Sequence, residues 1–303
     1  RTESAGPVRP EAPTIAQFNH CIAGITLPEG VLEDLWPVVD VDGIGRVLFV
    51  DPTAREGDVR HLPTALQGTW GLLVHEGGGH LVTLPVQPPE AATTERVLKA
   101  EVTRQGRLRG AELVETWHGV EARRVRAYYA GRSPEQRRED AMEDLQDRFR
   151  GARVAEHRIE GLDRHAEPLV EHTRFEGAVF GQATSGMLFV EPGRIGYGVL
   201  RTALPKPPRR WPLDVGLPSR ERVRVELRLP AGWVPESLPT DFELASDELR
   251  ARARWSFEDG VLVYERRVDL LVTEVPVERY QAFFRTARRI ADVDRENLVL
   301  IPR

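Results

Sequence analysis

The sequence predicts an α+β protein built mostly of antiparallel sheet, and three observations carry that expectation. Arg222 to Leu229 (RVRVELRL) alternates polar and apolar residues, which puts Val223, Val225, Leu227 and Leu229 on one face. Leu249 to Phe257 (LRARARWSF) alternates too, and Glu258-Asp259-Gly260 turns it into a further run from Val261 to Leu271. Polar alternates mean one solvated face, which favours antiparallel strands over parallel strands buried on both sides. Third, two segments carry helix signals. Ser133-Pro134-Glu135-Gln136 is a capping box with proline at the first helical position. Ala141, Leu145 and Phe149 follow on one side, and Gly151 closes the helix. After Pro276, residues Val277, Tyr280, Phe284, Ala287 and Ile290 make an apolar stripe.

The remaining elements follow in order. Residues 1 to 14, rich in Pro, Glu and Ala, read as an irregular entry. Thr14 to Thr26 (TIAQFNHCIAGIT) reads as one apolar strand. Leu27 to Pro37 is a loop or helical turn, and Pro37 to Asp42 is a short apolar run. Asp42-Gly43 is a hairpin turn into the strand Arg46 to Val50, which Asp51-Pro52 ends. Trp70 to Val74 is a strand, and Gly77-Gly78-Gly79 a flexible turn. Leu84 to Pro89 (LPVQPP) is the expected boundary between a first segment, 1–88, and a β-rich region, 89–303. That region reads as one sandwich-like body or as two units, 91–200 and 201–303. Its first strands are Glu95 to Arg104 and Arg107 to Trp117, turning at Gln105-Gly106. Strands resume at Val154 to Ile159, Pro168 to Phe175 and Gly186 to Val190, and Leu298 to Ile301 closes the chain.

Composition excludes several classes. The 303 residues carry 42 basic and 47 acidic side chains, net -5, so charge gives no case for nucleic acid as the main partner. Only two of the basic residues, Lys99 and Lys206, are lysine. No run approaches the ~18 apolar residues of a membrane helix. The chain opens on Arg1 with no basic-plus-apolar leader, which predicts a trimmed piece of a longer protein. One cysteine, Cys21, excludes an internal disulfide framework and a cysteine-based metal or iron–sulfur site. No cofactor or metal is expected.

A single cysteine still allows a thiol nucleophile, and Cys21 follows a histidine. A thiolate needs its base within about 3 Å. On a strand, adjacent side chains point to opposite faces, so His20 is not expected to serve Cys21. Cys21 reads instead as a small buried thiol. His20 and Asp51 make a better pair. Antiparallel neighbours can set a histidine beside a carboxylate, which fixes its tautomer and supports its protonated form. A satisfied structural histidine is the competing reading of the same spacing.

Phe18-Asn19-His20, followed by Leu48-Phe49-Val50-Asp51-Pro52-Thr53, resembles the transglutaminase-like (papain-like) superfamily. The closer likeness is to bacterial envelope proteins in which such a domain lies between β-sandwich domains. His61-Leu62-Pro63, Gly68 and Gly71-Leu72-Leu73-Val74 are similar to that group's return after the aspartate. Leu229-Pro230-Ala231-Gly232-Trp233, Asp259-Gly260 and Tyr280-Gln281-Ala282-Phe283-Phe284 resemble its closing β domain. The resemblance implies that 1–88 is the C-terminal part of a transglutaminase-like domain. It implies His20 as catalytic base and Asp51 as its orienter, in acyl transfer or hydrolysis at amide or peptide bonds. It also implies a protein or peptide substrate and a periplasmic or cell-envelope setting. The family's nucleophile is a cysteine at a helix N-terminus, well upstream of the histidine. None of the 19 residues before His20 is cysteine, and Cys21 stands where the family has an ordinary strand residue. As it stands the chain is therefore expected to be inactive. The alternative class is a non-catalytic envelope binding or scaffold protein that keeps the fold without the nucleophile.

Other signals are weaker. His75 and His80 are five apart with glycines between, which does not fit the four-residue spacing of a zinc-protease helix. His157, His165 and His172 read as surface histidines. Gly193-Arg194-Ile195-Gly196-Tyr197-Gly198 lacks the order of a dinucleotide fingerprint. The arginine-rich helices Glu135 to Arg150 and Glu278 to Arg289 read as solvated faces. Trp117, Trp211, Trp233 and Trp255 read as core or rim packing.

Overall fold

The computed structural model describes residues 8–9, 11, 14–31, 36–54, 59–196 and 204–303. Most of the predicted entry, part of the loop at 27–37, and Tyr197-Gly198 lie outside them.

Among the described residues the first segment holds five strands: β1 (Ala23–Thr26), β2 (Val38–Val41), β3 (Gly45–Val50), β4 (Trp70–His75) and β5 (Gly78–Thr83). The Asp42-Gly43 hairpin forms as expected and joins β2 to β3. β1 pairs with the other edge of β3, Ala23 opposite Val50, giving the order β1-β3-β2. The strand expected over Thr14 to Thr26 is only its last four residues, because Ile15–Gln17 form a 3-10 turn and residues 18–22 join no strand. β4 and β5 form a hairpin whose second strand begins at Gly78, inside the glycine run read as a turn. Val41, Val47, Phe49, Leu62, Leu66, Val82 and Leu84 are the core of this segment.

The expected boundary LPVQPP is tied back into this core. Gln87 Oε1 accepts from Leu62 N (3.1 Å) and Gln67 Nε2 (2.8 Å), while Gln67 Oε1 accepts from Gln87 N (3.0 Å). Both glutamine side chains are buried, and these bonds offset the cost of burying them.

The rest of the chain centres on one eight-stranded sheet. In chain order its elements and neighbours are β6 (Thr93–Val102), β7 (Leu108–Trp117), α1 (Gly119–Tyr129), α2 (Pro134–Arg148), β8 (Arg153–Glu160) and β9 (Leu169–Glu176). Then come β10 (Gly181–Thr184), β11 (Met187–Val190), β12 (Leu213–Asp214), β13 (Ser219–Arg228), β14 (Trp233–Pro235) and β15 (Phe242–Ala245). The last are β16 (Leu249–Glu258), β17 (Val261–Leu270), β18 (Glu274–Val275), α3 (Val277–Asp294) and β19 (Leu298–Pro302). The sheet order is β15-β16-β17-β13-β6-β7-β9-β8. Every pairing is antiparallel except β6 with β13, which is parallel and joins 91–200 to 201–303 in one sheet.

A second sheet, β10-β11-β19-β14, covers the middle of its inner face, as a sandwich requires. Leu98, Val225, Leu227, Leu262 and Tyr264 from one layer meet Leu188, Val190, Leu298 and Leu300 from the other. Gly106, at φ +73 in the β6–β7 turn, lets this packing close: a Cβ there lies 2.2 Å from the Gly181 carbonyl oxygen. α2 adds Leu145 and Phe149 to this core. α3 buries Tyr280, Phe283, Ala287 and Ile290 against β16 and β17, so Phe283 sits deeper than the predicted Phe284. The helices number three among the described residues, one more than expected. α1 packs Ala122, Val125 and Tyr129 on Trp117 and Leu169.

Where the inner face is not covered by apolar residues, it carries a buried chain of ion pairs. Arg96 binds Glu115 (2.7 Å) and Glu221; Arg148 of α2 binds Glu115 (3.1 Å); Arg266 binds Glu221 and Asp294 of α3 (2.8 Å). Burial works against the Glu115 charge, but Arg148 and Arg96 outweigh it and hold its carboxyl below the usual range. Asp294 goes the other way: burial outweighs Arg266 and pushes it up to about 6.

Candidate functional site

β3 ends at Val50, and Asp51 is the next residue. Ala23, the first paired residue of β1, lies opposite Val50. The two chains therefore leave the sheet side by side, one toward Asp51 and the other back toward His20. The His20 Nε2 atom lies 3.0 Å from Asp51 Oδ2. The pair is brought together as expected, though β1 reaches it as the outer neighbour of β3 and not as its hairpin partner.

Asp51 is held from its other side by the segment that follows it. Its Oδ1 accepts from Thr53 N (3.0 Å) and Thr53 Oγ1 (2.7 Å), a turn in which an aspartate caps its own backbone two residues on. The Asp51 side chain is 7% exposed and that of His20 is 26%. Burial opposes the Asp51 charge, yet the Thr53 and His20 hydrogen bonds overcome it and hold the carboxyl below its ordinary value. An ionised carboxylate only accepts, so a neutral His20 must place its proton on Nε2. That leaves Nδ1 as the atom able to take a proton from a neighbour.

A groove of about 600 Å³ opens beside His20. Its walls are largely apolar: Phe18, Phe49, Leu66, Leu72 and Leu84 line it. Gly24 sets its width, because a Cβ there lies 2.9 Å from Leu73 Cδ1 and 3.2 Å from Val47 Cγ1. Ile15 (76% exposed) and Val74 (67%) stand as apolar residues in solvent on its margin.

Cys21 also borders this groove, but it is exposed, not the buried thiol expected from a continuous strand. It makes no hydrogen bond among the described residues, to His20 or to any other group. Residues 18–22 belong to no strand, which leaves Cys21 outside any sheet core.

The other histidines fall elsewhere. His75 and His80 stack across the β4–β5 hairpin with ring centroids 5.0 Å apart. His157 is 4% exposed in its side chain and lies 2.7 Å from Glu171, so it is buried rather than a surface histidine. Its partner sits on the neighbouring strand, which sequence spacing does not reveal. His165 joins His61 and His118 around a cleft of about 330 Å³ that also holds Trp36 and Arg60. No three His, Cys, Asp or Glu side chains among the described residues are placed to hold a metal ion. Of the tryptophans, Trp117 and Trp255 are core and Trp233 packs at its edge, whereas Trp211 is 77% exposed.

A second polar cavity, about 540 Å³, lies between the α1–α2 pair and the sheet. Its floor is Arg96, Glu115, Glu171 and Glu221, and Tyr128, Tyr129 and Arg148 form its walls. These charges are spent on one another, and Tyr129 hydrogen-bonds Glu171 (3.2 Å). No helix among the described residues is long and apolar enough to cross a membrane.

Residues 198–300, spanning β12 to β18, α3 and most of β19, match the family model DUF3858, described as a domain of unknown function with a solved structure. Comparison with the curated proteins and with the solved structures finds no match. The chain is thus similar to DUF3858 over its closing third, and His20 and Asp51 both lie before the matched region.

Proposed function

We propose that His20 and Asp51 are the base and orienter of a transglutaminase-like acyl-transfer site acting on amide or peptide bonds of a protein or peptide in the cell envelope. The observation that carries this reading is the 3.0 Å contact from His20 Nε2 to a carboxylate kept ionised by Thr53. A base needs one nitrogen held and the other presented. The apolar groove beside it suits an acyl chain.

The chemistry is that of a thiol nucleophile. A cysteine thiol attacks the amide carbonyl, and His20 Nδ1 takes the thiol proton and returns it to the leaving amine. The thioester then goes to water or to a second amine, with His20 again acting as base. Asp51 stabilises the imidazolium formed in each step. In this proposal the thiol comes from outside residues 1–303, since Cys21 has no base bonded to it.

The test is amide turnover by the protein expressed from its complete reading frame. Thiol-dependent release of amine from a glutaminyl peptide is expected to fall at least ~100-fold in His20→Ala, the usual worth of a positioned base. Cys21→Ser is expected to leave it unchanged. Turnover indifferent to His20→Ala, or abolished by Cys21→Ser, contradicts the assignment. A second reading is a binding or scaffold protein that keeps the fold without the nucleophile. It predicts no thiol-dependent turnover in any form of the protein.

A further inference from the structure

β1 is the edge of its sheet, and no strand among the described residues pairs with its outer side. Its polar backbone groups divide by alternation. Leu27 N donates to Arg46 O (2.9 Å), so Leu27 and Arg46 are a hydrogen-bonded pair of the antiparallel ladder. Ile25 opposite Leu48 and Ala23 opposite Val50 are pairs of the same kind. The N–H and C=O groups of Gly24 and Thr26 therefore point away from β3. Neither residue makes a hydrogen bond to any further element among the described residues. All four residues of β1 are exposed.

An open edge is a hazard that folds commonly blunt with charge, proline or a bulge. β8, an edge of the eight-stranded sheet, carries Arg153, Glu156, Arg158 and Glu160. β2, the other edge of the β1 sheet, exposes Asp40. β1 is Ala-Gly-Ile-Thr, with no charge, no proline and no register shift against β3. Such an edge is a template for one more strand.

The surroundings of β1 indicate what that strand is. His20, with Nε2 on Asp51, stands just before it in the chain. Ile22 and Gly24 line the apolar groove beside His20, together with Leu72 and Leu73 of β4. A strand added to β1 alternates its side chains, so every second one faces that groove. We propose that the peptide substrate binds as an added strand on β1. The outward groups of Gly24 and Thr26 hold its backbone, alternate apolar side chains enter the groove, and its carboxamide is delivered past Ala23 to His20. The inference deepens the acyl-transfer reading and rests on it for the identity of the peptide. It names the substrate class as extended peptide with apolar residues at alternate positions. An edge with the outward groups of two residues is too small for a stable dimer and suits a substrate that must leave.

The experiment is fluorescence anisotropy, without turnover, on the protein expressed from its complete reading frame. The probe is a labelled peptide of alternating valine and serine with a central glutamine. Binding is expected. Thr26→Pro removes one outward N–H that takes no part in the β3 ladder, a position where an edge strand accepts proline. It is expected to weaken binding about tenfold, the worth of one hydrogen bond to the edge. A second arm leaves the protein unaltered. Methylating alternate amide nitrogens of the peptide is expected to abolish binding for one set and to spare it for the other, because only one side of the peptide backbone meets β1. Failure of the peptide to bind, equal effects from both methylated sets, or a dimer of this chain that Thr26→Pro dissolves overturns the inference. The two readings fail separately. Peptide binding with this pattern in a protein that shows no thiol-dependent turnover supports the edge and removes the acyl-transfer reading. Turnover with an unchanged KM in Thr26→Pro removes the edge alone.

Discussion

A carboxylate that stays ionised decides what the imidazole next to it can do. Asp51 receives two hydrogen bonds from Thr53 and one contact from His20, and these outweigh its burial. Its pKa is lowered in the folded state, so its ionised form adds stability above the unfolded carboxylate value. That contribution is lost as pH falls through the folded value. Asp51→Asn is therefore expected to be less stable at neutral pH and to show a shallower loss of stability on acidification, as measured by urea unfolding across a pH series. An acid limb identical to that of the unaltered protein contradicts this. The contact between His20 and Asp51 was anticipated through the resemblance carried by the runs FNH and DPT, and the structure brings the two side chains together. Cys21 was misread because the apolar run around it reads as one strand, whereas the strand begins only at Ala23. His157 was misread because its partner, Glu171, is set by the β8–β9 register.

At the level of elements, legibility followed local chemistry. α2 announces itself through Ser133 and Gln136, which cap each other's backbone in the structure. Ser133→Ala is expected to cost ~0.5–2 kcal/mol, readable as a lower denaturant midpoint with an unchanged slope. A shift within error contradicts a capping role. α1 has no such signal: His118 at its N-cap makes no side-chain cap bond, and its first residue is a glycine. Packing on Trp117 and Leu169 holds it instead. β5 was hidden because glycine is a poor strand former, yet Gly78 and Gly79 pair with His75 and Val74. The long strands β13, β16 and β17 were the plainest part of the sequence, since one face is buried and the other wet along their length.

Across the whole molecule, the joins between distant segments were the part that sequence could not show. The parallel pairing of β6 with β13 sets Thr93 opposite Arg220, and no local pattern specifies it. The ion-pair chain from Arg148 through Arg96, Glu221 and Arg266 to Asp294 depends on that pairing, since it links α2 to α3 beneath the sheet's inner face. Asp294 titrates at about 6, above its unfolded value near 3.8. The folded state thus holds more protons between these values, and stability falls as pH rises through that window. Asp294→Asn is expected to flatten this slope in thermal unfolding measured across the same window. A slope unchanged by the substitution shows that another group carries it.

The acyl-transfer reading rests on one nitrogen of one histidine, so the tautomer of His20 is its most direct test. Long-range proton–nitrogen NMR on imidazole-labelled protein, in alkaline solution where the ring is neutral, reads which nitrogen carries the proton. The expected result is protonation at Nε2, facing Asp51, with Nδ1 bare, and a mixture of tautomers in Asp51→Ala. Protonation at Nδ1, or a tautomer indifferent to Asp51→Ala, contradicts the assignment of Asp51 as the group that orients the base.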